Sequence, residues 1–419
     1  MIRRQKLQEI YNHLKKPEMT FIVGARQVGK TTIMKQLIQM LKTSGEKTLF
    51  LNFDFESDYA YVSSQEKLMQ KIRLEFGESS GYVFLDEIQR KENAGLFLKG
   101  LYDKDLPYKF VVSGSGSMEL KERIHESLAG RKRVFELTTI SLWEFLQYKT
   151  AYAYADRLLN YIELEGGNVE LLLQEYLSFG GYPRIVIEQQ SEEKLLLMNE
   201  IYESYLKKDI AYLLNLERAD VFTTLIRLLA HSCGSLLNYS TLAADAGLSV
   251  PTLKKYLWYA EQTYIIKRVM PFYKNKRKEL KKSPMIYFTD LGLRNFALNA
   301  FGHDVHALDT GRLFQNLVFL LLHNILNGSF FSIHYWRTSD QAEVDFVIQG
   351  HGHLYPIEVK HSHLKREKMT RSLRNFIETY QPAFAFVVNL NYEKVVQLNQ
   401  TTVKYTPWYK LYDKEWFSL

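Results

Sequence analysis

Eight residues starting at Gly24 (Gly24, Ala25, Arg26, Gln27, Val28, Gly29, Lys30 and Thr31) follow the spacing G-x-x-x-x-G-K-[ST], with Thr32 directly after. The chemistry that needs these types is phosphate binding. Glycines let the backbone curl so that successive N–H groups face phosphate oxygens. The run lies between a short apolar strand at 20–23 and a helical pattern at 31–41, so a helix N-terminus adds free donors and a favourable dipole. Lys30 would then reach the β- and γ-phosphates of ATP, and the Thr31 hydroxyl would ligate Mg²⁺.

A second cluster completes that chemistry. Tyr82-Val-Phe-Leu-Asp86-Glu87 is an apolar strand ending in two carboxylates. Asp86 would hold Mg²⁺ through a water, and Glu87 would polarise the attacking water. Phe110-Val-Val-Ser113-Gly-Ser115 is a strand ending in hydroxyls. Ser113 is either a sensor of the γ-phosphate or part of a Ser/Gly turn. Arg131, in Gly130-Arg-Lys-Arg133, is either an arginine that stabilises charge on the transferred phosphoryl group, in cis or in trans, or part of a solvated basic loop.

The elements that must carry these groups read as α/β over the first part of the chain. Strand-like runs recur at 20–23, 48–53, 82–85, 110–113 and 134–137 with helical patterns between several of them, which favours a parallel sheet covered on both faces. From about 141 to 215 helical patterns dominate, broken at Gly180-Gly181-Tyr182-Pro183. Residues 240–257 read as helix, Gly247 turn, Ser249 cap and second helix, with Leu242, Ala243 and Ala246 packing on Leu253 and Leu257. The second helix is expected to present Lys254, Lys255 and Tyr256 outward. Lys274 to Lys282 then holds six cations in nine residues, including Lys276, Arg277 and Lys278. These groups either contact DNA phosphates or form a solvated face of a protein-packing module. Strands return near 332–337, 343–348, 354–359 and 383–390.

Composition sets bounds. A chain of 419 residues suggests two to three domains, and 46% hydrophobic residues are enough for their cores. The net charge of +7 leans only mildly toward a polyanionic partner. Cys233 is the sole cysteine, so no internal disulfide exists; it sits in an apolar stretch as a small buried hydrophobe, and a reducing, cytoplasmic setting fits. The longest apolar run, 317–326, is too short to span a bilayer, and no membrane role is expected.

The runs GARQVGKTT, FLDEIQR, VVSGSGS and LAGRKRVFELTTISLWEF resemble the AAA-type ATPases of bacteria and archaea that are fused to a C-terminal domain of unknown function. GGYP, YLKKDI (205–210), YFTDLGL and EVDFVI…PIEVK match the same family, so the likeness runs from the N-terminus to about residue 362. It implies an ATPase core with DNA-associated C-terminal modules, and a homo-oligomer is compatible with it.

Asp345 together with Glu358-Val-Lys360 resembles the restriction-endonuclease-like core with its D…E-x-K motif. Glu358 and Lys360 alternate onto one face of a strand. Asp345 and Glu358 would bind Mg²⁺ and Lys360 would activate water. The family usually carries a Glu on the preceding helix where this chain has Gln315, and usually a Lys where it has Met285. The site is therefore either a weakened nuclease or a fold kept as a scaffold.

The expected architecture is α/β: a P-loop parallel-sheet ATPase domain at 1–145, a helical lid and connector at 146–215, a winged-helix module at 216–300 and a restriction-endonuclease-like α/β domain at 301–419. The expected function is Mg-dependent ATP hydrolysis coupled to action on DNA. The rivals are an ATP-gated switch controlling protein assembly and a metal-dependent DNA nuclease.

Overall fold

The computed structural model describes residues 1–115, 128–204, 219–273, 283–302 and 310–412. Five strands, β1 (Met19–Gly24), β2 (Thr48–Asn52), β3 (Gly81–Asp86), β4 (Tyr108–Ser115) and β5 (Lys132–Glu136), form a sheet in the order β2-β3-β4-β1-β5. Every pairing in it is parallel. Side chains alternate between its faces, and each face has its own apolar cover. Ile22, Phe84 and Val111 pack with Ile33, Met34 and Leu37 of the helix Lys30–Thr43. Phe21, Val83, Leu85 and Val112 pack with Leu68 and Ile72 of the helix Gln65–Phe76 and Phe97 and Leu98 of the helix Ala94–Tyr102. The expected alternation of strands and helices is found, with each strand within two residues of its expected limits.

The helical part contains Leu142–Lys149, Gly166–Phe179, Pro183–Ile187 and Ser191–Glu203. Ser141 and Glu144 form a reciprocal cap on the first of these, each side chain accepting the other's backbone N–H. The break at Gly180-Gly181 is a close approach of backbones. Gly181 O accepts the Ile140 N–H at 2.7 Å, and a Cβ on Gly181 would lie 2.2 Å from Ile140 O. The expected lid is thus packed onto the exit of β5 and shares the core of the sheet. The YLKKDI segment at 205–210 lies outside the described residues.

Helices Ala219–His231, Tyr239–Asp245 and Val250–Gln262 are followed by the antiparallel pair β6 (Ile266–Pro271) and β7 (Met285–Phe288). Ser249 caps the third helix by accepting the Thr252 N–H, and Leu242, Ala243, Ala246, Leu253 and Leu257 are buried as expected. Tyr256 is a correction. It is buried, with its ring 5.7 Å from that of Phe222, because the helical repeat puts 253, 256, 257 and 260 on one inward stripe. Lys254 and Lys255 are exposed. The basic run 274–282 joins β6 to β7 in sequence, and Lys276, Arg277 and Lys278 lie outside the described residues. Cys233 is buried, its thiol 2.9 Å from Asn316 Oδ1.

The C-terminal part runs helix Thr310–Leu326, β8 (Ser332–Arg337), β9 (Glu343–Gly350), β10 (His353–Val359), helix Arg371–Tyr380, β11 (Phe384–Asn389), β12 (Lys394–Leu398) and β13 (Thr401–Pro407). Strands β8, β9 and β10 are antiparallel neighbours, and β10 is parallel to β11 across the intervening helix. The sheet order is β12-β13-β11-β10-β9-β8-β6-β7. Met270 and Pro271 of β6 pair with His334 and Tyr335 of β8, so the hairpin extends this sheet across the division expected at residue 300. Pairing there covers the backbone edge of β8 that would otherwise face solvent.

Candidate nucleotide site

The eight-residue loop leaves the C-terminal end of β1, an interior strand between β4 and β5. Gly24 is required by space: a Cβ there would lie 2.2 Å from Leu137 O, which follows β5. Gln27 and Gly29 have left-handed backbones, with φ of 59° and 97°, which curl the loop into the helix at Lys30. No side chain caps that helix, so its first-turn donors are left to a ligand. Ala25 and Val28 are buried, Arg26, Gln27 and Gly29 partly so, and Thr32 is exposed. Lys30 is buried, and its Nζ donates to Ala25 O at 2.8 Å and Gly24 O at 3.2 Å, folding the ammonium over the loop.

Beneath the loop, adjacent parallel strands bring the acid and the hydroxyls together. Thr31 Oγ1 donates to Asp86 Oδ2 at 2.7 Å, and Ser113 Oγ donates to Asp86 Oδ1. Asp86 has no solvent exposure. Glu87 follows in a left-handed conformation, φ 58°, which turns its side chain away from the strand direction. Its N–H donates to Ser113 Oγ at 3.4 Å and its carboxylate accepts from Gln89 Nε2. A hydroxyl beside a carboxylate is a donor set suited to Mg²⁺, which takes few protein ligands and completes its shell with phosphate oxygens and water. The loop, Thr31, Asp86, Glu87 and Ser113 therefore converge.

Arg131 does not join them. It precedes β5, and its carbonyl accepts the N–H of Met19, the first residue of β1. The loop leaves the other end of this six-residue strand, five steps on, or about 16–17 Å at the rise of a strand. Arg131 instead pairs with Asp103 at 2.7 Å on the surface, so action in cis on phosphate held by its own loop is ruled out by distance. A distant arginine that does reach the loop is Arg184, just after Gly180-Gly181-Tyr182-Pro183. Its Nη1 lies 3.4 Å from Gln27 Oε1 and 2.9 Å from Glu200 Oε2. It stands 157 residues from Gln27, and only the cue of a cation following a Gly-Gly-x-Pro break marks it in the sequence.

The two C-terminal carboxylates each have their own protein partners. Asp345 Oδ1 accepts from Gln315 Nε2 at 3.0 Å and Oδ2 from the Val359 N–H at 2.7 Å. Glu358 Oε2 accepts from Thr370 Oγ1 at 2.7 Å, and Lys360 Nζ lies 2.5 Å from Oε1. Burial pushes the Asp345 carboxyl up to about 7, against the donation from Val359 and with Glu358 adding to the rise. Three of the four oxygens accept hydrogen bonds from protein donors, while buried Glu358 Oε1 has the Lys360 ion pair and no hydrogen bond. The described residues hold no group of three His, Cys, Asp or Glu side chains arranged to bind a metal. Gln315 thus places a neutral amide against Asp345 at the position where the resembled motif usually has a carboxylate, so Asp345 and Glu358 have one negative charge fewer beside them.

Comparison with known proteins agrees with the loop chemistry. A family model described as an AAA domain matches residues 16–146, and two domains of unknown function, DUF8612 and DUF4143, match 170–304 and 310–411. The first third of the chain is thus similar to AAA domains, in agreement with its phosphate loop. Among relatives, an uncharacterized protein of Mycobacterium tuberculosis is 25% identical over 92% of this chain and 79% of its own length. An uncharacterized protein of Haemophilus influenzae is 24% identical over 91% and 92%. One from Methanocaldococcus jannaschii is 25% identical over 78% and 71%. Among solved structures, replication initiator DnaA bound to AMPPCP and single-stranded DNA overlaps 62% of this chain and 90% of its own at 15% identity. Its TM-score of 0.29 is too loose an overlap to support an argument. Among the described residues, no helix is long and apolar enough to cross a membrane.

Proposed function

We propose that this protein binds and hydrolyses ATP with Mg²⁺ and couples that cycle to action on DNA through its C-terminal part. The observation that carries the first half is the chain Thr31–Asp86–Ser113 beneath an uncapped helix N-terminus, with Glu87 one residue beyond. Mg²⁺ would be held by Thr31 and Asp86 and would offset charge on the β- and γ-phosphates. Lys30 would turn from the loop carbonyls onto phosphate. Glu87 would orient the attacking water once ATP draws it from Gln89. Arg184, on the element after the Gly-Gly break, supplies the positive charge assigned on sequence grounds to Arg131.

The DNA half rests on the helix-turn-helix followed by the β6–β7 pair, with Lys254 and Lys255 exposed on the helix after the turn and the cations Lys276, Arg277 and Lys278 between the two strands in sequence. Arg is absent from the exposed face around Lys254, which favours phosphate contact over reading of guanine. The nuclease-like arrangement serves as a scaffold, since both carboxylates are engaged by the protein. The test is ATP turnover with and without duplex DNA. Hydrolysis stimulated by duplex supports the reading, hydrolysis indifferent to DNA favours a nucleotide-gated assembly switch, and no hydrolysis with Mg²⁺ overturns it.

A further inference from the structure

The loop that holds phosphate is gripped from outside by a residue far from any motif. Arg4 lies in the segment before the first helix, Lys6–His13, and its side chain is only 7% exposed. Its Nη1 donates to Val28 O at 2.8 Å, its Nη2 to Thr138 O at 2.6 Å, and its Nε to Glu144 Oε1 at 3.2 Å. Glu144 is itself fixed: it accepts the Gln5 N–H at 2.8 Å and the Ser141 N–H at 2.9 Å. One planar guanidinium therefore ties the N-terminal segment, the phosphate loop, the chain leaving β5 and the helix Leu142–Lys149 into one unit. A guanidinium suits this task because its donors are set at fixed angles in a plane.

The grip has a directional consequence for the loop. No cis peptide occurs in the described residues, so the Val28–Gly29 bond is trans and its N–H points opposite to its C=O. With Val28 O held toward Arg4, the Gly29 N–H is aimed the other way, into the concavity of the loop. Gly29 tolerates this because its φ of 97° is open to glycine and costly for other residues. Left alone, that peptide can rotate and present its carbonyl to a phosphate oxygen, which repels it.

We propose that Arg4 is a positioning residue for the phosphate loop: by holding the Val28 carbonyl outward it pre-aims the Gly29 N–H at nucleotide phosphate. This rests on the ATPase reading above. Because the aimed donor serves ground state and transition state alike, its loss should fall on binding.

The experiment measures fluorescent-ATP affinity, KM, kcat and thermal stability for the full chain and for Arg4→Gln, Arg4→Lys and Glu144→Gln. Arg4→Gln should raise Kd and KM for ATP about tenfold or more while kcat at saturation changes less than about threefold. Arg4→Lys keeps a cation but not three aimed donors, and should fall between. Glu144→Gln keeps one acceptor oxygen and sets an NH₂ donor against the other capping N–H, and should lower stability with less than about threefold effect on Kd. If Arg4→Gln fails to fold, Arg4→Lys decides, and ATP affinity equal to the parent overturns the proposal. A loss of affinity in Glu144→Gln as large as in Arg4→Gln also overturns it, since general loosening would then explain both. A parent protein that binds no ATP instead overturns the ATPase reading.

Discussion

Asp290 accepts the backbone N–H of Gly181 at 2.8 Å through Oδ2, and the Leu293 N–H at 2.9 Å through Oδ1, joining positions 109 residues apart in sequence. The carboxylate is buried. Desolvation raises its pKa, while donors from Gly181, Leu293, Thr139 and Gly292 work against the rise. One side chain thus caps the helix Leu291–Ala297, fixes the Gly-Gly break that carries Arg184, and reaches the segment leaving β5. Asp290→Ala should cost about 2–4 kcal/mol by stranding buried N–H donors and losing a cap. Gly181→Ala should be as damaging, because its Cβ would meet Ile140 O. Equilibrium unfolding in urea reads both, and a loss under about 0.5 kcal/mol in each would show the junction is not a structural anchor.

Lys30→Ala and Glu87→Gln should separate binding from chemistry. Lys30→Ala removes the cation over the loop and should abolish tight ATP binding. Glu87→Gln should keep affinity and slow turnover by about a hundredfold or more, the range for a lost general base. Filter binding and phosphate release measure the two quantities, and turnover in Glu87→Gln at the parent rate would assign the base elsewhere.

The Asp345 carboxyl gives a pH dependence whose sign follows from burial. Its pKa is about 7 in the folded chain against an ordinary 3.8, so the folded state holds the extra proton between those values. Stability from this group is full below about pH 4, is lost as pH rises toward 7, and stays at its lowest level above. Asp345→Asn removes the penalty, and should be more stable than the parent at pH 8 by up to about 4 kcal/mol. The gain should vanish near pH 4. Denaturation midpoints across pH 4 to 8.5 test this, and a gain independent of pH would refute it.

Gln315→Glu sets a second carboxyl against Asp345, where Gln315 now donates at 3.0 Å. Without metal, one carboxyl must stay protonated, and the variant should lose stability as pH rises past neutrality. If a scaffold is all this site provides, Mg²⁺ and Mn²⁺ should restore neither stability nor plasmid nicking. Metal-dependent nicking abolished by adding Asp345→Asn would instead establish a latent nuclease.

The carboxylate of Glu136, at the end of β5 beside the loop, pairs with Lys267 of β6 at 3.2 Å and lies 3.9 Å from His323 of the helix Thr310–Leu326. Burial alone would raise its pKa, but His323 and Lys267 outweigh that and hold it at about 2. The stabilisation is present above about pH 4.5 and lost as pH falls toward 2. Lys267→Met should destabilise by about 1–3 kcal/mol at pH 7, a range between those of exposed and buried pairs. The difference from the parent should shrink below pH 4. A gap that persists in acid would place the loss in packing.

Local spacing carried much of this protein in plain view. The phosphate loop, the acid pair after an apolar strand, and the helix-turn-helix are written within windows of 6 to 18 residues, where helical and strand periods decide which side chains share a face. What spacing cannot encode is which end of a strand a residue occupies in the finished sheet, or what lies across a gap of 100 residues. Arg131 looked like a phosphate sensor because it precedes a core strand, but parallel pairing of β5 with β1 puts it at the end away from the loop. Tyr256 looked outward beside two lysines until Phe222 claimed its ring. Asp345 and Glu358 carry a metal-binding spacing, but which protein groups stand against them, Gln315, Val359, Thr370 and Lys360, is decided by the packing. Arg4 had no motif, and Arg184 and Asp290 sit beside or within GGYP and YFTDLGL with nothing in the spacing to give them a role. Their roles depend on donor and acceptor geometry, which becomes defined only when distant segments pack and water leaves. Sequence by itself determined the chemistry of the loop and its acids, and tertiary structure decided which cations and carboxylates stand beside them.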